Sequence, residues 1–148
     1  MTIRVRIFAF ILLTTIGSTT AWAVDWRQIP NSDSTFDASR ITRVSSSLIR
    51  VWEKYVMIDE ALDYVRKLGL AEEYRDYSYS IALRQIDCGK QTHGFVSIHN
   101  FNSRGAPTGP STNVKDADIE MNQTAPDTNA EALIAAVCDY NKQKLRKK

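Results

Sequence analysis

Cysteine is scarce: the 148 residues hold two, Cys88 and Cys138. That excludes a disulfide-dense scaffold and a four-cysteine zinc module. No Cys-x-x-Cys pair is present, so the usual arrangement of a redox-active dithiol is missing. Histidine is as scarce, at two, and no serine sits in a nucleophile-elbow context. Six glycines and four prolines exclude a collagen-like repeat. Nowhere is there an apolar run of the about 20 residues that a membrane-spanning helix needs. An excess of one charge is missing too. Lysine and arginine number 19 against 17 aspartates and glutamates. Arg4 and Arg6 are the only charges in residues 1–23, so the remainder is balanced. A balanced domain is a poor nucleic-acid binder by its bulk field, and no nucleic-acid partner is expected.

What is present is an ordinary globular composition, 43% hydrophobic and 24% charged, at the length of one domain. Residues 1–23 read as an address. Two arginines precede the apolar stretch 7–16, and Gly17, Ser18, Thr19 and Thr20 lead to Ala21-Trp22-Ala23. These are the charged, apolar and small-residue parts of a secretory signal peptide, with cleavage expected between Ala23 and Val24. The short apolar core is of the bacterial kind and implies the periplasm or outer cell surface. The expected organisation is a signal peptide over 1–23, a folded domain over 24–141 and a basic mobile tail over 142–148.

In an oxidising compartment two cysteines permit one intramolecular pairing, Cys88 with Cys138. Closing a loop of roughly 50 residues would stabilise the fold by about 4 kcal/mol in the chain-entropy model. The alternative is two separate buried thiols.

Short strands are expected at 25–29 and 34–37, split by the turn cluster Pro30-Asn31-Ser32-Asp33. The stretch 48–57 is a stronger strand, with apolar groups on both faces. A helix is expected from Glu60 with Asp59 as its cap, its apolar stripe being Ile58, Ala61, Leu62, Val65 and Leu68. Gly69 is its expected stop, or else a kink after which the helix resumes through Ala71-Glu72-Glu73-Tyr74. Tyr77, Tyr79, Ile81 and Leu83 then alternate with Ser78, Ser80, Ala82 and Arg84, a strand with one apolar face. Cys88 lies on the opposite parity, so either the strand bulges or the bridge sits across the sheet. A turn at Gly89-Lys90 leads into a strand over 91–101. After a loop, 111–114 reads as a further short strand. Thr128-x-x-Glu131 is a capping box for a last helix whose face is Ala130, Leu133, Ile134, Val137 and Cys138. The fold class is α+β: an antiparallel sheet with one inserted and one C-terminal helix, and one disulfide.

Asp25-Trp26 with Ile29, Thr35-Phe36-Asp37, Ile49-Arg50-Val51-Trp52, Ile86-Asp87-Cys88 and Ala136-Val137-Cys138 follow one another in an order that resembles the surface-adhesin protein E-like family of bacterial exported proteins. Met121 departs from it, standing where the family often has tryptophan. The resemblance implies an antiparallel sheet with flanking helices, a structural disulfide and, from the family's namesake, adhesion to host matrix proteins.

The remaining constellations read as ordinary protein. His93 and His99 would share one face of a straight strand about 20 Å apart, too far for one metal ion. Asp59, Glu60, Asp63, Glu72 and Glu73 read as a solvated helix face, and Lys142 to Lys148 as a solubilising tail. Trp26, Trp52, Tyr77 and Tyr79 read as sheet core. No catalytic residue, cofactor or metal is expected. The leading expectation is a non-enzymatic exported domain working through contact with an envelope or host matrix protein. The alternatives are a periplasmic enzyme or small-ligand carrier using the acidic helix and the histidines, and an envelope or stress protein forming a homodimer through the second apolar face of 48–57.

Overall fold

The computed structural model describes residues 23–147. The expected signal segment lies outside the described residues apart from Ala23, which is exposed together with Val24. Eight strands form one antiparallel sheet. They are β1 (Trp26–Gln28), β2 (Thr35–Asp37), β3 (Thr42–Arg43), β4 (Leu48–Tyr55), β5 (Tyr77–Asp87), β6 (Thr92–Asn102), β7 (Thr112–Asn113) and β8 (Asn122–Gln123). The order across the sheet is β1-β2-β4-β5-β6-β7, with β3 beside β4 and β8 beside β6. Helix α1 (Asp59–Val65) is inserted between β4 and β5, and α2 (Asn129–Arg146) closes the chain.

Helix α2 forms where the capping box is. The Thr128 hydroxyl accepts the Glu131 amide at 3.3 Å, and the Glu131 carboxylate accepts the Asp127 amide at 2.8 Å. Leu133, Ile134 and Val137 then meet Ile29, Phe36, Ile49, Val51 and Ile86 in the core. The edge of Phe36 packs on Tyr140 with ring centroids 5.9 Å apart. A disulfide joins Cys88, just past β5, to Cys138 on α2. The bridge therefore sits across the sheet from the tyrosine face, and β5 runs in unbroken register with β4 from Ser80 to Asp87.

Three expectations are corrected. The buried face of β5 is Ser80, Ala82, Arg84 and Ile86; Tyr77, Tyr79, Ile81 and Leu83 are half-buried. Alternation identified the two faces correctly, but α2 covers the one with smaller side chains. Second, α1 begins at Asp59, with Ile58 as cap and no side-chain capping bond. Third, the segment expected as a tail from Lys142 is helical as far as Arg146. Lysine and arginine are good helix formers and suit the negative end of a helix dipole.

Two devices hold the sheet's margins. The Asp37 carboxylate is fully buried and accepts from the Asp25 amide, the Ser39 amide, the Ser39 hydroxyl and Arg40 Nε. At the other side, the segment after β7 crosses Gly94 so closely that a Cβ there would lie 2.5 Å from the Glu120 carbonyl oxygen. Only glycine permits that approach.

Burial opposes the charged form of Asp37, yet the bonds from Ser39 and Arg40 outweigh it and hold the carboxyl below its ordinary range. Its contribution to stability is therefore complete above the unfolded value of about 3.9 and is lost as pH falls through the folded one. Asp37→Asn is expected to lower stability at neutral pH by about 2 kcal/mol and to flatten the acid limb, as read by denaturant melts at stepped pH. Replacing both cysteines with serine is expected to lower the unfolding free energy by up to about 4 kcal/mol, and the same melts check it.

Candidate functional site

The fold leaves two surfaces without full cover. The first is the insert between β4 and β5. Its ends are tied down: the Met57 amide donates to the Tyr77 hydroxyl at 2.9 Å, the Asn100 side-chain amide to the Tyr74 hydroxyl at 3.2 Å, and the Thr108 hydroxyl to the Glu73 carbonyl at 2.9 Å. Between these anchors α1 has no buried residue. Gly69, at φ +82°, turns the chain out of the helical stretch. Of the seven large hydrophobics exposed among the described residues, four lie here: Val56, Ile58, Tyr64 and Leu68, each between 57% and 63% exposed. The sequence identified the apolar stripe, but Ile58 and Leu68 of that stripe face solvent. Asp59, Glu60, Asp63, Glu72 and Glu73 are exposed as expected, with Asp63 paired to Arg66 at 2.7 Å and Glu72 to Arg75 at 3.0 Å.

The second surface is the face of the sheet away from α2. Register places Trp52 opposite Leu83, Lys54 opposite Ile81 and Tyr79 opposite Phe101. Lys54 Nζ lies 4.2 Å over the Tyr79 ring, which stacks on Phe101 at 5.3 Å. Trp26 joins Lys54 and Tyr79 along a groove of about 260 Å³. Towards the other end the face is bridged, by Arg50 to Asp116 at 2.9 Å and by Gln85 to the Met121 sulfur at 3.8 Å. Trp26, Trp52, Tyr77 and Tyr79 are thus half-buried rather than core. The core proper is built mostly from aliphatic residues brought together by α2.

The histidines part company. His93 lies opposite Ile86 and His99 opposite Ile81, and these two isoleucines point to opposite faces of β5. The register shift near Leu83 leaves Val96 as an extra residue on β6, and this bulge reverses the parity. His93 joins Glu53, Tyr55 and Arg84 in a cleft beside the start of α2, on the core side of the sheet. Burial, and then the charge of Arg84, pull the His93 pKa below its ordinary value. Burial raises that of Glu53 against the pull of Arg84. Sequence reasoning passed over Glu53 and Arg84 because each sits within an alternating strand, where a charge usually marks the solvent side. Ser80, also in β5, is buried and donates to the Asn100 side-chain oxygen at 2.7 Å.

An antiparallel sheet roofed on one side by a disulfide-tied helix, with an apolar insert and an aromatic open face, is a small α+β domain suited to contact with other proteins. The chain belongs to the surface-adhesin protein E family, whose model matches residues 26–139. Among solved structures it is similar to protein E from non-typeable Haemophilus influenzae, at 12% identity and a TM-score of 0.48, over 79% of this chain and 78% of that one. None of the curated proteins matches it in sequence. No helix among the described residues is long and apolar enough to cross a membrane.

Tyr64→Ser with Leu68→Ser is expected to change stability by about 1 kcal/mol or less, because neither side chain is buried. Leu133→Ala, in the core, is expected to cost about 2–5 kcal/mol in the same urea titration.

Proposed function

We propose that the protein is an exported, non-enzymatic domain of the bacterial envelope that works by adhesion-like contact with another protein. The domain spans 24–141 and is released by cleavage between Ala23 and Val24. The observation that carries the reading is the insert: four large apolar side chains stand in solvent on a segment whose ends are anchored. Isolated exposed hydrophobics are commonplace, but a concentration of them on one projecting element marks a contact surface. Membership of an adhesin family supports the same reading. A protein partner in the envelope or host matrix suits a neutral domain whose exposed features are apolar and aromatic rather than strongly charged.

The half-buried row of Trp52, Lys54, Tyr79 and Phe101 favours a second reading, a homodimer through the open sheet face. The two readings give different results in one set of measurements. Mass spectrometry of the exported chain is expected to give Val24 as its first residue. Protease added to intact cells is expected to digest the domain, and lysed cells serve as the control. The purified protein is expected to bind immobilised host matrix, and the Tyr64→Ser, Leu68→Ser variant to bind at least about tenfold less. Protection in intact cells with no matrix binding overturns the host-directed reading. A concentration-dependent dimer in sedimentation, weakened by Trp52→Ser and not by the insert variant, assigns the sheet face to self-association.

A further inference from the structure

Next to the insert, whose Val56 it shares, a cleft of about 320 Å³ lies between the first turn of α2 and the core-side face of the sheet. Arg84 lines it, with a side chain only 6% exposed. Its guanidinium lies over the Phe95 ring, with Cζ 3.9 Å from the ring centroid. Nη2 donates to His93 Nδ1 at 2.8 Å. An arginine cannot accept, so His93 is neutral there and carries its proton on Nε2. Nη1 stands 3.7 Å from the Glu53 carboxylate, beyond hydrogen-bond reach. Nε is buried and has no partner among the described residues. Of five N–H donors, one is used among the described residues. A buried guanidinium left in that state is costly unless something else supplies acceptors.

The same cleft is lined by Asn129 and Ala130, the first two residues of an 18-residue helix. Thr128 caps the third amide, that of Glu131. Among the described residues the amides of Asn129 and Ala130 have no acceptor. Two such amides with the helix dipole behind them attract an anionic group. Glu53 supplies the opposite charge on the facing wall, and its carboxylate accepts no hydrogen bond from the described residues. Tyr55, Val56 and Phe95 add apolar wall. The Tyr55 hydroxyl has its pKa pushed up to about 12 by burial first and by the charge of Glu53 next, a sign of the low polarity of this wall.

A simple anion would satisfy the amides and Arg84 but would meet Glu53. A simple cation would satisfy Glu53 but would meet Arg84 and the positive end of α2. From the convergence of these three groups we infer that the cleft binds a small zwitterion, a free α-amino acid. Its carboxylate lies on the Asn129 and Ala130 amides and Arg84, its ammonium on Glu53, and its side chain against Phe95 and Tyr55. The size of the cleft suits a ligand of that class, near the small end of the usual range for pockets of roughly 300–1,000 Å³. The cleft shares Val56 with the insert but neither Tyr64 nor Leu68, so its occupancy and protein contact can be tested separately through variants at those two residues.

Calorimetric titration of the purified protein with L-valine and L-leucine, beside isovalerate, isobutylamine and inorganic phosphate, tests the inference. Saturable binding of an amino acid is expected, with each singly charged analogue at least about tenfold weaker. Asn129→Pro is the decisive variant. It removes one amide donor at the first helical position, where proline is well tolerated, and Thr128 before it already has the extended backbone (φ −108°, ψ 156°) that a following proline requires. That variant is expected to keep its melting temperature and to lose about tenfold in affinity. Glu53→Gln is expected to turn the preference from the amino acid to isovalerate. No binding of either amino acid, equal binding of phosphate, or full affinity in a folded Asn129→Pro protein each overturns the inference.

Discussion

One helix covers the core side of the sheet, and the rest of the domain depends on its being held there. Leu133, Ile134 and Val137 reach Ile49, Val51 and Ile86 only while α2 lies across β4 and β5. The helix is fixed at both halves. The capping box sets where it begins, and the Cys88–Cys138 bridge ties its middle to the end of the longest strand pair. A core one helix wide buries little apolar surface, and small domains are marginal for that reason. The disulfide compensates by limiting the unfolded chain rather than by adding contacts.

Two buried charged groups show how differently a polar side chain can be accommodated. Asp37 accepts from three donors on its own segment and from the Asp25 amide before β1, and its charge is stabilised despite burial. It acts as a structural knot joining β2 to the turn that follows. Arg84 is almost as deeply placed but spends one donor on His93 and meets Glu53 only at ion-pair distance. Removing solvent from a charge without full pairing costs several kcal/mol. The first arrangement is complete within the protein, whereas the second leaves donors and an acceptor turned towards the same cleft.

Much of the architecture was legible in the sequence because it follows from short-range signals. The capping box gave the start of α2, alternation gave β4 and β5, and two cysteines behind an expected signal peptide pointed to the bridge. Orientation was less legible. Tyr79 and Leu83 make the more hydrophobic face of β5 by residue type, so periodicity favours them as core; α2 covers Ala82, Arg84 and Ile86 instead, a choice made by tertiary packing. The parting of His93 and His99 rests on one extra residue, Val96, and a bulge leaves no mark in a period-two pattern. The exposure of the insert was hidden for a related reason. A stripe such as Ile58, Leu62, Val65 and Leu68 reads the same whether it meets the parent domain or a partner.

That last ambiguity bears on function. An exposed apolar insert is a liability in solution, and the chain restrains it locally. Asp63 with Arg66 and Glu72 with Arg75 place charge among the hydrophobic side chains, and Tyr74 is locked against Asn100 of β6 and the loop at Gly109. Exposed ion pairs of this kind add little stability, typically about 0–1 kcal/mol, so their value lies in solubility and in fixing side chains. The sheet's edges are restrained as well: β1 has three residues and β7 two, too short to recruit a foreign strand easily. A domain that limits edge pairing yet keeps Tyr64 and Leu68 in solvent directs its contacts to side-chain surfaces. On such surfaces a few aromatic and aliphatic anchors determine most of the affinity. On the proposed reading it is the insert, more than the sheet edge, that offers such anchors to a partner.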